Sequence, residues 1–196
     1  MGTDRFPEKL MTAEEFYEWG SLPEHEDRFL ELVAGKVIEW PWPPGQRHGV
    51  VCGYLCWLLG EFTRRRNKGY VCSNCCGVIL HRNPDTVRGP DLALYEDSKS
   101  YEELSDFYGD VPPRLAVEVL MPDDPPDLVA EKVTDYLTHG VPLLWLINTE
   151  TRQATVHQPG KEPRILSGEE ELTGGKILPG LSCRVADLFR LPWEAA

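Results

Sequence analysis

The run Leu115-Ala116-Val117-Glu118-Val119-Leu120 is apolar except for a glutamate near its middle. A run of this kind is a buried strand, and an ionised carboxylate inside one costs several kcal/mol unless something pairs with it. A second acid, Asp91, stands in the preceding strand-like segment, Val87-Arg88-Gly89-Pro90-Asp91-Leu92-Ala93-Leu94-Tyr95. Two such acids on successive segments ask for a shared partner. A divalent cation answers both, because hard cations take oxygen ligands.

The rest of the chain supplies strands and helices in alternation. Thr12-Ala13-Glu14-Glu15 is a capping box that opens a short helix ending near Gly20. Phe29–Val33 and Lys36–Trp40 are β-like runs around a hairpin turn at Ala34-Gly35. Pro41-Trp42-Pro43-Pro44-Gly45 is a loop, and Val50 to Thr63 has the apolar spacing of a long amphipathic helix. Tyr70 to His81 reads as one strand, Asn83-Pro84-Asp85 as a turn, and Ser98 to Pro113 as a polar connection with one helical turn. A bend over Met121 to Pro126 leads to a helix from about Asp127 to His139, stopped by Gly140 and Pro142. Leu143 to Ile147, Gln153 to His157 and Pro163 to Leu166 follow as strands, and Val185 to Phe189 as a last short helix. This order predicts a mixed α/β sheet flanked by helices, in one domain spanning residues 1–196.

Composition narrows the function. A hydrophobic share of 41% with six Trp excludes a disordered chain, and no apolar run approaches the ~18 residues of a membrane span. Met1 to Met11 lacks an apolar signal core, so a cytoplasmic location is expected. A net charge of -12 excludes a general nucleic-acid coat but not an enzyme acting on nucleic acid, which needs only a local basic patch. Arg64-Arg65-Arg66-Asn67-Lys68 is the candidate patch; a solvated helix C-terminus complementing the helix dipole is the preferred reading of it. Cys72-x-x-Cys75 is half of a zinc motif without its second half, and Cys52 and Cys56 lie four apart on a helix. Reduced, metal-free, buried cysteines are expected, with a zinc site drawing on both pairs as the alternative.

The helix after Glu118 carries a third charged residue of interest. With Leu128 at zero and about 100° per residue, Val129, Val133, Tyr136 and Leu137 fall within an arc from about 0° to 180°. Lys132 falls inside that arc at about 40°, whereas Glu131 and Asp135 fall outside it and face water. Snorkelling explains a core-facing lysine, as does pairing with Glu118 or Asp91. Glu31 shares one face of its strand with Phe29 and Val33, and so joins the same set.

Four segments together resemble the Uma2 family, also called DUF820, of restriction endonuclease-like proteins within the PD-(D/E)XK nuclease superfamily. They are Phe29–Val37, Arg88–Leu92, Val117–Pro122, and Lys132 through Gly140-Val141-Pro142 to Ile147; Leu178-Pro179-Gly180-Leu181 and Asp187-Leu188-Phe189 fit the family's usual ending. The resemblance covers about residues 12–189 and implies a restriction-endonuclease-like core. Asp91 matches the aspartate of the PD motif and Glu118 the acid of the second half-motif. The lysine usual two residues beyond that acid is Leu120 here, and the resemblance places it on the next helix, at Lys132. Glu31 matches an additional N-terminal acid. His48 matches a position where the family often has histidine, although a helix N-terminal residue bonded to solvent is an equal reading. Met121 stands where serine is usual, and Ala34 where the hairpin usually has Asp or Asn.

What the resemblance implies is hydrolysis of DNA phosphodiester bonds with Mg²⁺ or Mn²⁺. Asp91 and Glu118 hold the ion with the backbone carbonyl near Val119, Lys132 orients water or stabilises charge on phosphorus, and Glu31 positions a second metal or a water. Two alternatives stay open: a non-catalytic nucleic-acid-binding or regulatory protein with the same fold, and a zinc-stabilised interaction protein. Monomer and homodimer are both open.

Overall fold

The computed structural model describes residues 6–25, 27–41, 43–191, 193 and 194. Met1 to Arg5 of the N-terminal segment, and Trp42 of the expected loop, lie outside these residues.

Helix α1 (Ala13–Gly20) opens with the capping box in place: the Thr12 hydroxyl accepts from the Glu15 N–H at 3.2 Å, and the Glu15 carboxylate accepts from the Thr12 N–H at 3.0 Å. Strands β1 (Phe29–Val33) and β2 (Lys36–Trp40) pair antiparallel, Glu31 opposite Ile38. Their turn uses positive φ at both Ala34 (48°) and Gly35 (79°), the combination of a type I′ two-residue hairpin. Tertiary bonds hold the alanine there: the Ala34 N–H donates to the Thr86 hydroxyl at 3.0 Å and the Gly35 N–H to the Asp85 carbonyl at 2.7 Å.

Helix α2 (Gln46–Arg66) begins four residues before the apolar pattern does. Val51, Leu55, Leu59 and Phe62 face the core, whereas Val50, expected on that face, is exposed. Asn67 ends the helix in the left-handed conformation. The basic run behind it is spent locally: Arg64 and Arg65 pair with Glu61, and Arg66 and Lys68 with Glu96.

The segment expected as one strand over Tyr70 to His81 is two. Strand β3 (Tyr70–Ser73) ends where Asn74 and Cys75 take positive φ (65° and 56°), and β4 (Val78–His81) begins in a different sheet. Strand β5 (Thr86–Arg88) pairs with β4, and the chain then crosses back into β6 (Leu92–Tyr95), beside β3. Asp91 therefore sits at the crossing, just ahead of β6, and not within a strand.

Strand β7 (Leu115–Leu120) leads through α3 (Pro126–Thr138) to β8 (Leu144–Asn148), which runs parallel to β7 as such a crossover requires. Strands β9 (Gln153–His157) and β10 (Arg164–Ser167) extend that sheet, giving the order β10-β9-β8-β7-β6-β3. A smaller sheet has the order β2-β1-β5-β4. A hairpin of β11 (Glu171–Thr173) and β12 (Ser182–Arg184) precedes a 3₁₀ turn at Val185–Phe189. The architecture is thus mixed α/β, as expected.

Alternation along β7 sets the site. Leu115, Val117 and Val119 join the α2-side core, whereas Ala116 and Leu120 pack on the α3 side with Tyr136, Leu144 and Leu146. Glu118, between Ala116 and Leu120, is sent toward α3. All six cysteines are free, but Cys56 and Cys76 are exposed, contrary to the expectation of burial. Among the described residues, no helix is long and apolar enough to cross a membrane.

Candidate active site

Burial forces Glu118 to find donors, and α3 supplies both. Lys132 Nζ donates to Glu118 Oε2 at 2.9 Å, and the Tyr136 hydroxyl, one helical turn on, donates to Oε1 at 2.6 Å. Tyr136, expected only as an apolar face residue, thus fixes the carboxylate. Lys132 Nζ also lies 3.0 Å from Glu31 Oε1 and 4.5 Å from the Trp40 ring centroid. Burial lowers the affinity of Lys132 for its proton, but Glu118 and Glu31 outweigh it and hold the amine charged.

Glu31 was expected to position a second metal or a water; the structure places it behind Lys132, wholly buried. Its Oε1 also accepts from the Gly89 N–H at 2.8 Å, and Oε2 accepts from Trp40 Nε1 at 2.7 Å and Arg88 Nη1 at 2.9 Å. Burial pushes Glu31 up, but Lys132, Arg88 and the Gly89 N–H more than reverse this and leave it below its ordinary value. With both oxygens taken twice, Glu31 orients Lys132; it has no lone pair spared for an ion or a water.

Arg88 was missed. It is 0% exposed, and its Nε and Nη2 grip Asp135 Oδ2 at 2.9 and 2.6 Å while Nη1 holds Glu31. Asp135, expected to face water, is half-buried on this guanidinium. The signal available was an arginine at the end of a strand three residues before Asp91. Its partners lie 57 and 47 residues away, beyond any local pattern.

Asp91 is held from two sides. Oδ2 accepts from the Val119 N–H at 2.7 Å, and Oδ1 lies 3.0 Å from His48 Nε2. Val119 was expected to lend its carbonyl to a metal; the contact seen is made by its N–H, to Asp91. His48 reaches Asp91 because α2 starts early enough to include it, so the solvent-bonded reading does not hold. Burial pushes the His48 imidazole down, but Asp91, Asp124 and Glu118 outweigh this and raise it above its ordinary value.

Asp91, Glu118, Lys132 and His48 line one small cavity of about 40 Å³, room for an ion or a water or two. Asp124, from the bend before α3, lines it too and accepts from the Met121 N–H at 2.8 Å. Lys132 and Arg88 do not balance the acids packed around them. Glu118 carries the excess: burial, then Asp91 and Glu31, push it up to about 7 against the pull of Lys132. An oxygen-rich, over-negative pocket of this size fits a hard divalent cation. One donor atom each from His48, Cys52 and Asp91 lie within 4.8 Å of one another, the sole such group among the described residues. Cys52, Cys56, Cys72 and Cys75 form none.

A mixed sheet with an acid at the crossing into β6, an acid within β7 and a buried lysine on the following helix fits a restriction-endonuclease-like fold. The solved structure of "a putative nuclease belonging to DUF820" from Anabaena variabilis ATCC 29413 superimposes with a TM-score of 0.77 at 21% identity, over 91% of this chain and 97% of that one. The model of the Uma2 family, described as "Putative restriction endonuclease", matches residues 13–186, and the chain belongs to that family. No curated protein matches it.

Proposed function

We propose that the protein is a divalent-metal-dependent endonuclease that hydrolyses DNA phosphodiester bonds. The observation that carries this reading is the single amine of Lys132, bonded at once to Glu118 and Glu31 in the cavity that Asp91 enters. Asp91 and Glu118 are the residues that would hold Mg²⁺ or Mn²⁺. A dication held there supplies Lewis-acid polarisation of the phosphate and a more acidic water.

The chain's own groups do the positioning. The Val119 N–H and His48 fix the plane of Asp91, and Tyr136 and Lys132 fix Glu118. Lys132 keeps its proton at Nζ and offers a donor to the attacking water or to a phosphoryl oxygen, where negative charge grows. Glu31 is a positioning residue, acting through Lys132, and Arg88 clamps Glu31 to α3 through Asp135. The reading goes with a cytoplasmic protein, where reducing conditions keep its cysteines as thiols.

The test is cleavage of plasmid and single-stranded DNA with Mg²⁺ or Mn²⁺, beside D91A and K132A. Each variant is expected to lose ~10²–10³ in rate. Cleavage unchanged in D91A overturns the assignment. DNA binding without cleavage in the parent protein favours the non-catalytic alternative.

A further inference from the structure

Cys52 and Cys75 have no part in the proposed hydrolysis, yet Cys52 points at His48 and Cys75 at Asp91. Cys52 Sγ lies 3.5 Å from His48 Nδ1, one turn along α2. Cys75 Sγ lies 3.9 Å from Asp91 Oδ1, and His48 Nε2 is 3.0 Å from that same oxygen. All four side chains line a second cavity, of about 380 Å³, on the α2 side of Asp91. We infer that Cys52, Cys75, His48 and Asp91 form a binding site for one thiophilic divalent ion such as zinc.

Donor atoms bound to a tetrahedral zinc at 2.0–2.3 Å lie roughly 3.3–3.8 Å apart. Here the donor atoms of His48, Cys52 and Asp91 lie within 4.8 Å of one another, with His48 to Asp91 at 3.0 Å; Cys75 stands outside that set, 3.9 Å from Asp91, and is the donor that must swing in to complete the site. Two thiols, an imidazole and a carboxylate are donors that zinc accepts, whereas magnesium does not take sulfur. Without metal, His48 bridges the set, with Nε2 toward Asp91 and Nδ1 toward Cys52, and the Cys75 thiol donates to Asp91. A dication would bind one ring nitrogen and the carboxylate and release the protons of the thiols it takes as thiolates.

The fold has arranged the thiols for this. Cys75 reaches Asp91 only because Asn74 and Cys75 adopt positive φ and turn the chain out of β3. Cys52 reaches His48 because the two are four apart on α2. The zinc motif sought in the sequence is therefore redistributed. Cys52 and Cys75 converge on His48 and Asp91, whereas Cys72 lines a different cavity with Cys76, and Cys56 lines the same cavity as Cys52 but is exposed and outside the group of close donor atoms.

Zinc binding needs no nuclease activity; only its consequence for cleavage rests on the function proposed above. There, zinc would take Asp91 from magnesium and stop the enzyme. The test is equilibrium dialysis of the reduced full chain against zinc, with metal analysis, and cadmium titration followed by the thiolate-to-cadmium charge-transfer band. The expected result is about one zinc per chain and a charge-transfer band, both lost in the C52S/C75S double variant and kept in C72S/C76S. Thermal melts of the metal-free variants establish that each folds. No stoichiometric zinc, zinc retained by folded C52S/C75S, or zinc lost from folded C72S/C76S overturns the site. A protein that binds zinc through Cys52 and Cys75 but never cuts DNA with magnesium keeps the site and removes the nuclease reading.

Discussion

Glu118→Gln should flatten the pH dependence of stability without divalent cations. In the unfolded chain this carboxyl titrates at its ordinary value of 4.5, and in the fold it is pushed up to about 7 by burial, Asp91 and Glu31. Between these values the folded state binds more protons than the unfolded one. The contribution of Glu118 is therefore fully present below pH 4.5 and is lost as pH rises through 7. A difference of about 2.5 units corresponds to ~3 kcal/mol at 1.36 kcal/mol per unit. Gln keeps the shape and can still accept from Tyr136, and Lys132 keeps Glu31. His48 is also raised and works in the same sense at higher pH; Glu118 is the smallest of the charges that raise it, so the substitution trims its share as well and the two changes add in the same direction. The assay is urea unfolding with chelator at pH 4, 6 and 8. The parent should lose ~3 kcal/mol more than E118Q across that range. Equal losses in the two proteins would refute the argument that buried charge excess is stored at Glu118.

Magnesium or manganese should raise the melting temperature of the parent by mass action on the folded state, and Asp91→Asn should abolish most of that rise; a rise unchanged in the variant means the ion binds elsewhere. Lys132→Ala should keep the metal-induced rise while losing cleavage, and should destabilise the metal-free form by leaving Glu118 and Glu31 facing each other; a Lys132→Ala protein as stable as the parent in urea contradicts this. Arg88→Met should cost ~3–5 kcal/mol in urea unfolding because Glu31 and Asp135 lose their shared partner, and Arg88→Lys should not restore it, since one amine cannot span both; a cost under ~1 kcal/mol rejects the clamp. Thiol titration of the denatured, chelated protein should find all six cysteines free, and fewer thiols would reveal a disulfide.

Legibility in the sequence followed the range of the signal. The Thr12 capping box, the hairpin at Ala34-Gly35 and the strand through Glu118 are local, and each stands where the pattern puts it. Lys132 was legible because a helix has a fixed period, and a charged residue inside an apolar arc is conspicuous. The break between β3 and β4 was not, because the left-handed residues are Asn74 and Cys75 rather than glycine, inside a stretch otherwise suited to one strand. His48 remained ambiguous because the first turn of α2 is exposed and carries no apolar signal. The three-residue strands β11 and β12 bury Leu172 and little else, too little for a pattern. Arg88 and Asp135 each look like ordinary surface charges until folding brings them together.

The chain passes between the two sheets three times, through α2 into β3, out of β3 near Asn74, and back through Gly89 to Asp91. Glu31 belongs to the small sheet, Glu118 to the large one, and Lys132 joins them from α3. The amine is thus a rivet through a seam. A form in which the large sheet has assembled but the small one has not docked lacks Glu31 and the Gly89 turn, and leaves Lys132 half-tethered. The pocket is therefore complete only once both halves have met, and weakening the small sheet far from Asp91 should silence the site before the rest of the molecule unfolds.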